Sequence, residues 1–366
     1  MKRRKDTLGD LTQEKIKFAL IGCGAIANKH VAAINRLVNA KVVAVYDVDP
    51  QTARAFSEKH SIPAFTNVEE MVQKTDPGVL NILTPSGVHG KSILELIRFN
   101  RHFVVEKPLA LRLDQIDRIL KECDEKGLKI FVVKQNRFNP PIRKLKEALD
   151  KGRFGKLVLG TVRVRWCREQ DYYDQKPWRG TWSLDGGVLT NQAGHHIDML
   201  IWMMGEVESV MAKTATRLVN IEAEDTGVAI LKFRNGAIGV VEATTATRPK
   251  DLEGSISILG EGGVVEIGGF FMNELKTWNF SGPDEMDNEV WNKFAKVPDE
   301  LAWNHSEFFK DVVNSLNDGK KGLIDGLEGR KSVELINAIY ESAESGKEVF
   351  LRFAPQRCRL GLTNDK

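Results

Sequence analysis

The fold is decided by the stretch Ile16-Lys17-Phe18-Ala19-Leu20-Ile21-Gly22-Cys23-Gly24-Ala25-Ile26-Ala27. Its first six residues form an apolar, strand-like run, and the rest has the G-x-G-x-x-A spacing of a loop that opens a helix over a dinucleotide. Gly22 permits the tight turn, and Gly24 lets the backbone approach a pyrophosphate. The small Ala27 lets the helix pack closely on the strand.

The residues after this loop indicate which dinucleotide is bound. The helix N-terminus at Ala25 and Ile26 offers N–H groups and a positive dipole end to the phosphates. A second strand-like run, 41–46, is followed by Asp47, at the position where an acidic residue binds the ribose hydroxyls. Because a carboxylate there repels a 2′-phosphate, the sequence predicts NAD rather than NADP. The alternative is an ordinary strand-to-helix turn, in which Asp47 is only a turn former.

Short β-branched runs alternate with amphipathic stretches from residue 16 to about residue 138, which predicts βαβ units and a parallel sheet. Beyond that point, turn signals such as Arg234-Asn235-Gly236 separate long strand-like runs, as in antiparallel hairpins. The predicted fold class is an α/β N-terminal Rossmann domain followed by an α+β C-terminal domain with a large, mostly antiparallel sheet. We expect a flexible tail at 1–15, an NAD-binding domain at 16–137, a substrate-binding and oligomerisation domain at 138–355, and a tail at 356–366.

Composition excludes several classes of function. Hydrophobic residues make up 42% and charged residues 28% of the 366 residues, as in ordinary globular proteins. A net charge of +3 predicts no nucleic-acid partner. No apolar run reaches the roughly 18 residues that span a bilayer, so no membrane partner is expected. The four cysteines lack C-x-x-C or metal-like spacing, so we expect free thiols, no bound metal and a cytoplasmic location.

Several further motifs, in a fixed order, resemble a known family of oxidoreductases. They are Thr84-Pro85-Ser86-Gly87-Val88-His89, Glu106-Lys107-Pro108, Gln135-Asn136-Arg137-Phe138, Gly186-Gly187, His195-His196-Ile197-Asp198 and Gly326-Leu327-Glu328-Gly329-Arg330. Over nearly its whole length the chain resembles the Gfo/Idh/MocA family, typified by glucose–fructose oxidoreductase and inositol dehydrogenase. The resemblance implies an NAD-dependent enzyme that oxidises a CH–OH group. It places the following residues at the cofactor: Thr84, Pro85, Ser86, His89, Glu106, Lys107 and Gln135.

A narrower resemblance is to bacterial enzymes that oxidise UDP-N-acetylglucosaminuronic acid at C3 for surface-polysaccharide sugar synthesis. It rests on the segments 135–140, 163–168 with Tyr172-Tyr173, 178–182 and 191–196. It implies a nucleotide-sugar substrate and a homotetramer assembled through the sheet. Some relatives reoxidise NADH in place with a keto acid such as 2-oxoglutarate, and the sequence does not decide between that course and NADH release.

Lys107 and His195 are the predicted proton-transfer residues. Oxidation of a secondary alcohol needs a base near the hydroxyl and a site that excludes water. Lys107 follows a predicted strand, where a Rossmann sheet presents groups to its ligand. Burial near the positively charged nicotinamide lowers the pKa of an amine. By family position, His195 hydrogen-bonds the reacting hydroxyl. The alternatives are a surface lysine paired with Glu106 and an interior histidine.

Asn191, the third predicted catalytic residue, departs from the family, in which many members carry an aspartate at this position. Because an amide cannot act as a base, more of the proton transfer falls on Lys107 and His195. The i, i+4, i+7 spacing of Asn191, His195 and Asp198 predicts one helical stripe that half faces a cleft. In the alternative, Asn191 caps that helix. His196 points about 100° away from His195 on a helix, so a shared zinc site is not expected.

The segment 163–182 is rich in arginine and aromatic residues, which suits a substrate with two phosphates and a uronate. Arginine forks bind diphosphate and carboxylate groups, and aromatic faces pack on sugar or uracil rings. If 157–165 is a strand, Arg163 and Arg165 share one face; the alternative is alternating charge on an exposed strand. His305 is a further candidate at the cleft. The predicted substrate-binding residues are Arg137, Arg163, Arg165, Trp166, Arg168, Tyr172, Tyr173, Trp178, Arg179, Asn191 and His195.

Three other functions fit parts of this pattern. The first is a family member that oxidises a free polyol or monosaccharide such as inositol. The second is an NAD-dependent glycosidase that works through a transient ketone. The third is a redox sensor that has kept the cofactor site and lost the chemistry, and the presence of both Lys107 and His195 argues against it.

Overall fold

The computed structural model describes residues 15–298, 302–351, 358, 360 and 361, so the predicted tails at 1–15 and 356–366 lie almost wholly outside it. The first of its two sheets has six strands: β1 (Ile16–Ile21), β2 (Ala40–Tyr46), β3 (Ala64–Phe65), β4 (Val79–Ile82), β5 (His102–Val105) and β6 (Ile130–Val132). All are parallel, in the spatial order β3-β2-β1-β4-β5-β6. The strand order reverses beside β1, and a doubly wound sheet binds its ligand at such a point. The predicted Rossmann domain is confirmed.

Helices connect these strands on both faces: α1 (Ala25–Asn35), α2 (Pro50–His60), α3 (Val68–Thr75), α4 (His89–Leu96) and α5 (Leu113–Glu125). Side chains set where α2 and α3 begin, because the Asp49 carboxylate accepts from Gln51 and Thr52 N–H, and Asn67 Oδ1 accepts from Glu70 N–H. The sequence analysis missed β3 and α3. Asn67 is an N-cap signal that marks the start of α3.

Helix α6 (Pro140–Asp150) leads to a second sheet of eight strands: β7 (Leu157–Arg165), β8 (Val207–Ala215), β9 (Thr226–Phe233), β10 (Ile238–Thr244), β11 (Glu253–Gly260), β12 (Gly263–Gly268), β13 (Glu274–Phe280) and β14 (Val349–Phe350). Their order is β13-β12-β11-β7-β10-β9-β8-β14, and only the β7–β10 pair is parallel. The predicted, mostly antiparallel sheet is confirmed.

Helices cover one face of this second sheet and leave the other open. The remaining helices are α7 (Gln170–Asp174), α8 (Gly194–Met204), α9 (Met286–Glu289), α10 (Trp303–Asp318) and α11 (Gly326–Ser345). Helix α8 lies close against β7, since a Cβ on Gly160 would be 2.7 Å from Met204 Cγ. In the part of the chain that the structure describes, no helix is both long and apolar enough to cross a membrane.

Helix α10 returns to the first domain, although it follows the second sheet in sequence. Phe308 and Phe309 are buried in the same apolar core as Phe18 and the other residues of the first sheet. The Phe309 ring meets Phe18 edge-on, with centroids 5.6 Å apart. The predicted domains, 16–137 and 138–355, are each continuous in sequence and therefore assign α10 to the second domain, whereas its Phe308 and Phe309 pack in the core of the first.

A buried ion-pair network joins the end of the first sheet to two helices of the second domain. Asp198 of α8 accepts two hydrogen bonds from the Arg137 guanidinium, at 2.9 and 2.8 Å, and one from Lys134 Nζ. Arg137 Nη1 also donates to Glu328 of α11 at 2.9 Å. Burial alone would raise the pKa of Asp198, but Arg137 and Lys134 lower it to about 2. The prediction of Arg137 as a substrate ligand is therefore wrong, because its buried guanidinium already donates to Asp198 and Glu328.

We expect Asp198→Asn to lower the free energy of unfolding by about 3–5 kcal/mol at neutral pH, because it leaves buried cations without a counter-charge. The measurement is urea unfolding followed by circular dichroism. Since the folded pKa of Asp198 is depressed to about 2, its contribution is present at neutral pH. The contribution is lost as the pH falls from about 4 towards that value. The matched control, Glu58→Gln, breaks an exposed pair with Arg54 and should change nothing measurable. Equal effects of the two variants would contradict the prediction.

Candidate active site

The glycine-rich loop between β1 and α1 has the shape that a dinucleotide needs. Gly22 has φ +106°, and a Cβ there would lie 3.0 Å from the carbonyl carbon and oxygen of Leu83. Beside Gly24 the chain leaves open space, since no atom lies within 4 Å of the Cβ position. No side chain caps α1, so its first turn at Ala25 and Ile26 is free for an anion. Ala27 is buried.

Asp47 closes this side of the site at the end of β2. Its Oδ2 accepts from Cys23 N–H at 2.8 Å, and its Oδ1 accepts from Asp49 N–H at 3.0 Å. The carboxylate is thus held against the glycine-rich loop, where a ribose would follow the pyrophosphate. Open space, an uncapped helix end and this carboxylate fit NAD.

The loop after β4 lines the opposite side and contacts the second domain. Thr84 Oγ1 is buried without a hydrogen-bond partner in the part of the chain that the structure describes, and Pro85 and Ser86 begin a tight 3-10 turn. Gly87 N–H donates to Leu184 O at 2.9 Å, so the cofactor loop touches the segment before α8. His89, predicted at the cofactor, is instead buried between two carbonyls, those of Thr84 and Pro108, each 2.7 Å from a ring nitrogen.

Lys107 and His195 come together where the domains meet. Lys107 Nζ donates to the Asn191 carbonyl at 2.6 Å, and the Lys107 side chain also comes within 3.9 Å of the Cβ position of Gly194, the residue before His195. Gln135 Nε2 lies 3.3 Å from His195 Nε2. Gln135 Oε1 and His195 Nδ1 are buried with no partner among the described residues. Such orphaned polar atoms need a ligand or water to satisfy them.

Burial lowers the pKa values of both His195 and Lys107. Burial, and then the positive charge of Lys107, lower the pKa of His195 to about 3, so its imidazole is neutral at physiological pH. Burial also lowers the pKa of Lys107, while the nearby carboxylates of Glu106 and Asp185 oppose that shift. A neutral imidazole and an amine that loses its proton more readily than usual suit proton transfer from an alcohol.

The predicted helical stripe of Asn191, His195 and Asp198 is wrong. Helix α8 begins at Gly194, so Asn191 lies in the turn before it, and Asp198 faces the buried ion pairs. Asn191 nevertheless reaches the site, through its backbone carbonyl on Lys107. Its side-chain Nδ2 donates to Asp185 Oδ1 at 2.6 Å.

Asp185 is the site residue that sequence reasoning missed. It is 2% exposed, and its Oδ2 accepts from Gly180 N–H at 2.9 Å. Burial raises its pKa to about 6. The sequence motif that includes it, Asp185-Gly186-Gly187, marks a turn but gives no signal that the carboxylate points towards Lys107.

Part of the predicted substrate segment forms a cationic cluster around one aromatic ring. The guanidinium carbon of Arg179 lies 4.0 Å from the Tyr172 ring centroid, and that of Arg168 lies 5.4 Å from it. Trp178 lies 5.7 Å from the Arg179 guanidinium. Arg179 Nε is buried without a partner in the described structure. We name Arg168, Tyr172 and Arg179 the arginine–tyrosine cluster.

Two other aromatic residues of that segment are buried in the core, although the Arg168 guanidinium carbon also lies 5.4 Å from the Trp166 ring centroid. Trp166 is 6% exposed and stacks on Phe270 with ring centroids 4.2 Å apart. Tyr173 is buried, and its hydroxyl bonds Thr245 Oγ1 at 3.0 Å. The pattern of arginine and aromatic residues did not separate these buried rings from Tyr172.

Arg163 and Arg165 lie away from the other predicted substrate residues. They do share one face of β7, but the alternate residues Val162 and Val164 are the ones buried under α8. On the open face Arg163 Nε pairs with Glu253 at 3.1 Å, and Arg165 Nε pairs with Glu242 at 2.6 Å. The alternative reading, charge on an exposed strand face, describes them correctly.

Glu106 points into a separate buried cluster beside Lys107. His30 Nε2 lies 2.8 Å from Glu106 Oε1. Burial alone would raise the pKa of Glu106, but the hydrogen bond and the charge of His30 outweigh it and lower that pKa to about 2. His305 completes the cluster, and the three side chains offer ligand atoms within 4.8 Å of one another, the spacing of a candidate metal site. Because His30 already hydrogen-bonds the carboxylate, the cluster is accounted for as a support for the Glu106–Lys107 turn.

Comparison with known proteins gives two family matches. Residues 16–134 match the model described as an oxidoreductase family with an NAD-binding Rossmann fold, and residues 142–266 match the GFO/IDH/MocA C-terminal domain.

Two solved structures are similar over nearly the whole chain. One is the WlbA dehydrogenase from Chromobacterium violaceum in complex with NADH and UDP-GlcNAcA, with 40% identity, a TM-score of 0.88, and coverage of 94% of this chain and 98% of that one. The other is WlbA from Bordetella pertussis in complex with the same two ligands, with 40% identity, a TM-score of 0.86, and coverage of 93% and 100%. Among curated proteins, the myo-inositol 2-dehydrogenase of Thermotoga maritima is 24% identical over 92% of this chain and 98% of its own length.

We expect Gly24→Val to leave the unfolding midpoint unchanged and to weaken NADH binding by about 100-fold or more, because the branched side chain would fill the space of the pyrophosphate. The backbone at Gly24 has φ −71°, which valine tolerates. Fluorescence titration with NADH and thermal unfolding measure the two quantities. Gly22→Ala is the contrast, since φ +106° makes it destabilising even without cofactor. NADH affinity equal to that of the unaltered protein would contradict the placement.

Proposed function

Because the chain belongs to the GFO/IDH/MocA oxidoreductase family and is an NAD-dependent sugar dehydrogenase, we propose that it oxidises UDP-N-acetylglucosaminuronic acid at C3 to the 3-keto sugar. Two relatives at 40% identity that were crystallised with this nucleotide sugar support the choice. The free cysteines agree with a reducing, cytoplasmic setting. A role in surface-polysaccharide sugar synthesis is part of the same proposal.

The arginine–tyrosine cluster is the observation that carries this proposal. Two guanidinium groups flank Tyr172, and the buried Nε of Arg179 has no hydrogen-bond partner among the described residues. Arginine binds phosphate and carboxylate oxygens through such N–H groups. Gly180, next to Arg179, donates to Asp185, which in turn bonds the Asn191 turn at Lys107. An anionic substrate that reaches from Lys107 to Arg179 fits this path, whereas a free polyol has no anionic group for Arg179.

The reaction then follows from the two residues at the domain junction. Bound NAD⁺ supplies the hydride acceptor. Neutral Lys107 Nζ takes the proton of the C3 hydroxyl, while the C3–H bond breaks as hydride and the carbon becomes a ketone. Neutral His195 hydrogen-bonds the same oxygen and holds it towards Lys107, and Gln135 orients the imidazole. The products are the 3-keto sugar, NADH and one proton.

Inositol oxidation is the second candidate function. The myo-inositol 2-dehydrogenase matches across almost its full length, although at lower identity. The same Lys107 and His195 chemistry serves any secondary alcohol, so the two candidates differ only in what the cluster binds.

We expect NADH absorbance to rise with UDP-N-acetylglucosaminuronic acid and not with myo-inositol, because only the nucleotide sugar satisfies the arginine–tyrosine cluster. If NADH stays bound, turnover will require 2-oxoglutarate, and a single-turnover rise in absorbance will still appear without it.

Lys107→Met is the control, and should lower kcat by about 10²–10⁴-fold while it still binds NADH. Turnover of inositol alone would contradict the substrate, and an unchanged Lys107→Met rate would contradict the mechanism. Release of a glycosyl leaving group without net NADH would indicate a glycosidase.

We also propose that a second copy of the chain covers the open face of the second sheet and that the assembly is a homotetramer. Ile230 of β9 is 57% exposed, and it pairs across the sheet with Met211 of β8, 51% exposed, and with Val240 of β10. Contiguous apolar side chains at the centre of an open sheet face are typical of an interface. A homo-oligomer buries such a patch against its own copy.

We expect Ile230→Lys to give a smaller species than the unaltered protein in size-exclusion chromatography with light scattering, because it places a charge in the apolar contact. Val38→Lys is the matched control, since Val38 is 85% exposed outside this sheet. The control should keep the native mass. A tetramer that survives Ile230→Lys would place the interface elsewhere.

A further inference from the structure

Asp185 has no task in the reaction described above, yet it is buried beside the reacting lysine. One oxygen accepts from Asn191 Nδ2 at 2.6 Å, and the other accepts from Gly180 N–H at 2.9 Å. Lys107 Nζ donates to the Asn191 backbone carbonyl at 2.6 Å. Asn191 therefore joins the carboxylate to the amine, through its side chain on one side and its main chain on the other.

Lys107 and, more weakly, Arg179 are the cations that act on the Asp185 carboxylate. Arg179 lies on the same segment, but it donates to Tyr172 O and Gln175 Oε1. Glu224, packed beside the segment before α8, is a second buried acid whose carboxylate bonds Leu189 N–H and Tyr340 OH.

Three nearby groups remain, and none of them competes for the charge of Asp185. Tyr173 is occupied by Thr245. Glu106, the other carboxylate that faces Lys107, is held by His30, and His195 is neutral. Asp185 is thus the acid that reaches Lys107 from the second domain.

We propose that Asp185 is a positioning residue that acts through Lys107: it fixes the Asn191 turn and supplies the counter-charge that holds the lysine amine at the junction of the two domains. The inference rests on the proposed role of Lys107 in proton transfer. It also accounts for Asn191 at the position where the family resemblance implies an aspartate. Asp185 supplies the carboxylate, and Asn191 links it to Lys107 through its side-chain amide and its backbone carbonyl.

The proposal predicts the direction in which the pKa of Lys107 changes, which a merely structural role of Asp185 would not. A nearby negative charge raises the pKa of an amine, so its removal lowers the pKa of Lys107. In Asp185→Asn the amide oxygen can still accept from Asn191 Nδ2, while the amide nitrogen faces Gly180 N–H, so the turn keeps one of its two bonds when the charge is lost. Loss of packing alone would weaken the fold and leave the titration of Lys107 where it is.

The test is the titration of Lys107 by NMR in full-length protein labelled with ε-¹³C lysine, the signal being assigned by its disappearance in Lys107→Arg. We expect Asp185→Asn to move the Lys107 midpoint down by about one pH unit. Asp225→Asn is the matched control: it removes another fully buried carboxylate, which bonds Arg217 and Leu218 N–H, and should leave the midpoint in place. An Asp185→Asn midpoint equal to that of the control would overturn the proposal.

Two further measurements keep the result decisive. If Asp185→Asn does not fold, the unaltered protein still serves, because its Lys107 signal should show a second inflection near pH 6, where Asp185 titrates. If this second inflection is absent, the proposal is contradicted. The NMR titration needs no substrate, so a failure of the substrate assignment is seen separately, in the NADH assay. With a turned-over substrate, the acidic limb of kcat/KM in Asp185→Asn should shift to lower pH by the same amount, and Asp185→Glu should restore it.

Discussion

The active site depends on the salt bridges that Asp198 makes with Arg137 and Lys134. These groups are buried, so each would be costly to leave unpaired, and their mutual hydrogen bonds offset the loss of hydration. These ion pairs hold α8 against the end of the first sheet, and they fix both its rotation about the helix axis and its position along that axis. His195 lies on the same helix, three residues before Asp198, so the position of the imidazole relative to Lys107 follows from these pairs. Glu328 extends the same constraint to α11.

The second constraint is the close approach of two loops across the cleft. Gly87 sits so near the segment before α8 that a Cβ would lie 2.0 Å from Ser183 O. This contact holds the cofactor loop against the segment that carries Asp185 and Arg179. Three buried polar atoms that find no partner among the described residues, Thr84 Oγ1, His195 Nδ1 and Arg179 Nε, belong to these loops or to residues beside them. At this cleft, cofactor and substrate can satisfy these three groups, which is the arrangement expected of a preformed site.

Sequence patterns predicted the elements well and the orientation of side chains less well. The predicted strands 157–165 and 226–233 match β7 and β9. They were predictable because the alternation of apolar and polar residues and the flanking turn residues are local signals in the sequence. The same periodicity showed that Arg163 and Arg165 share a face, but it cannot show which face the helices cover. Arg137 lies in a motif beside the cofactor loop, yet its burial depends on Asp198 and Glu328, which are distant in sequence. Asp185 lies in an aperiodic turn, so no local pattern reports its contact with Asn191.

The electrostatics explain why the amine, and not the imidazole, is suited to act as the base. A base takes a proton efficiently when its pKa is near the working pH. The pKa of His195 is lowered to about 3 by burial and by the positive charge of Lys107, so a proton taken by the ring would be held weakly. The pKa of Lys107 is lowered by burial too, but Glu106 and Asp185 oppose that shift and keep the amine the stronger base of the two. Lys107 and His195 therefore have different roles at this site: the lysine exchanges the proton, and the histidine, kept neutral mainly by burial, directs the hydroxyl towards it.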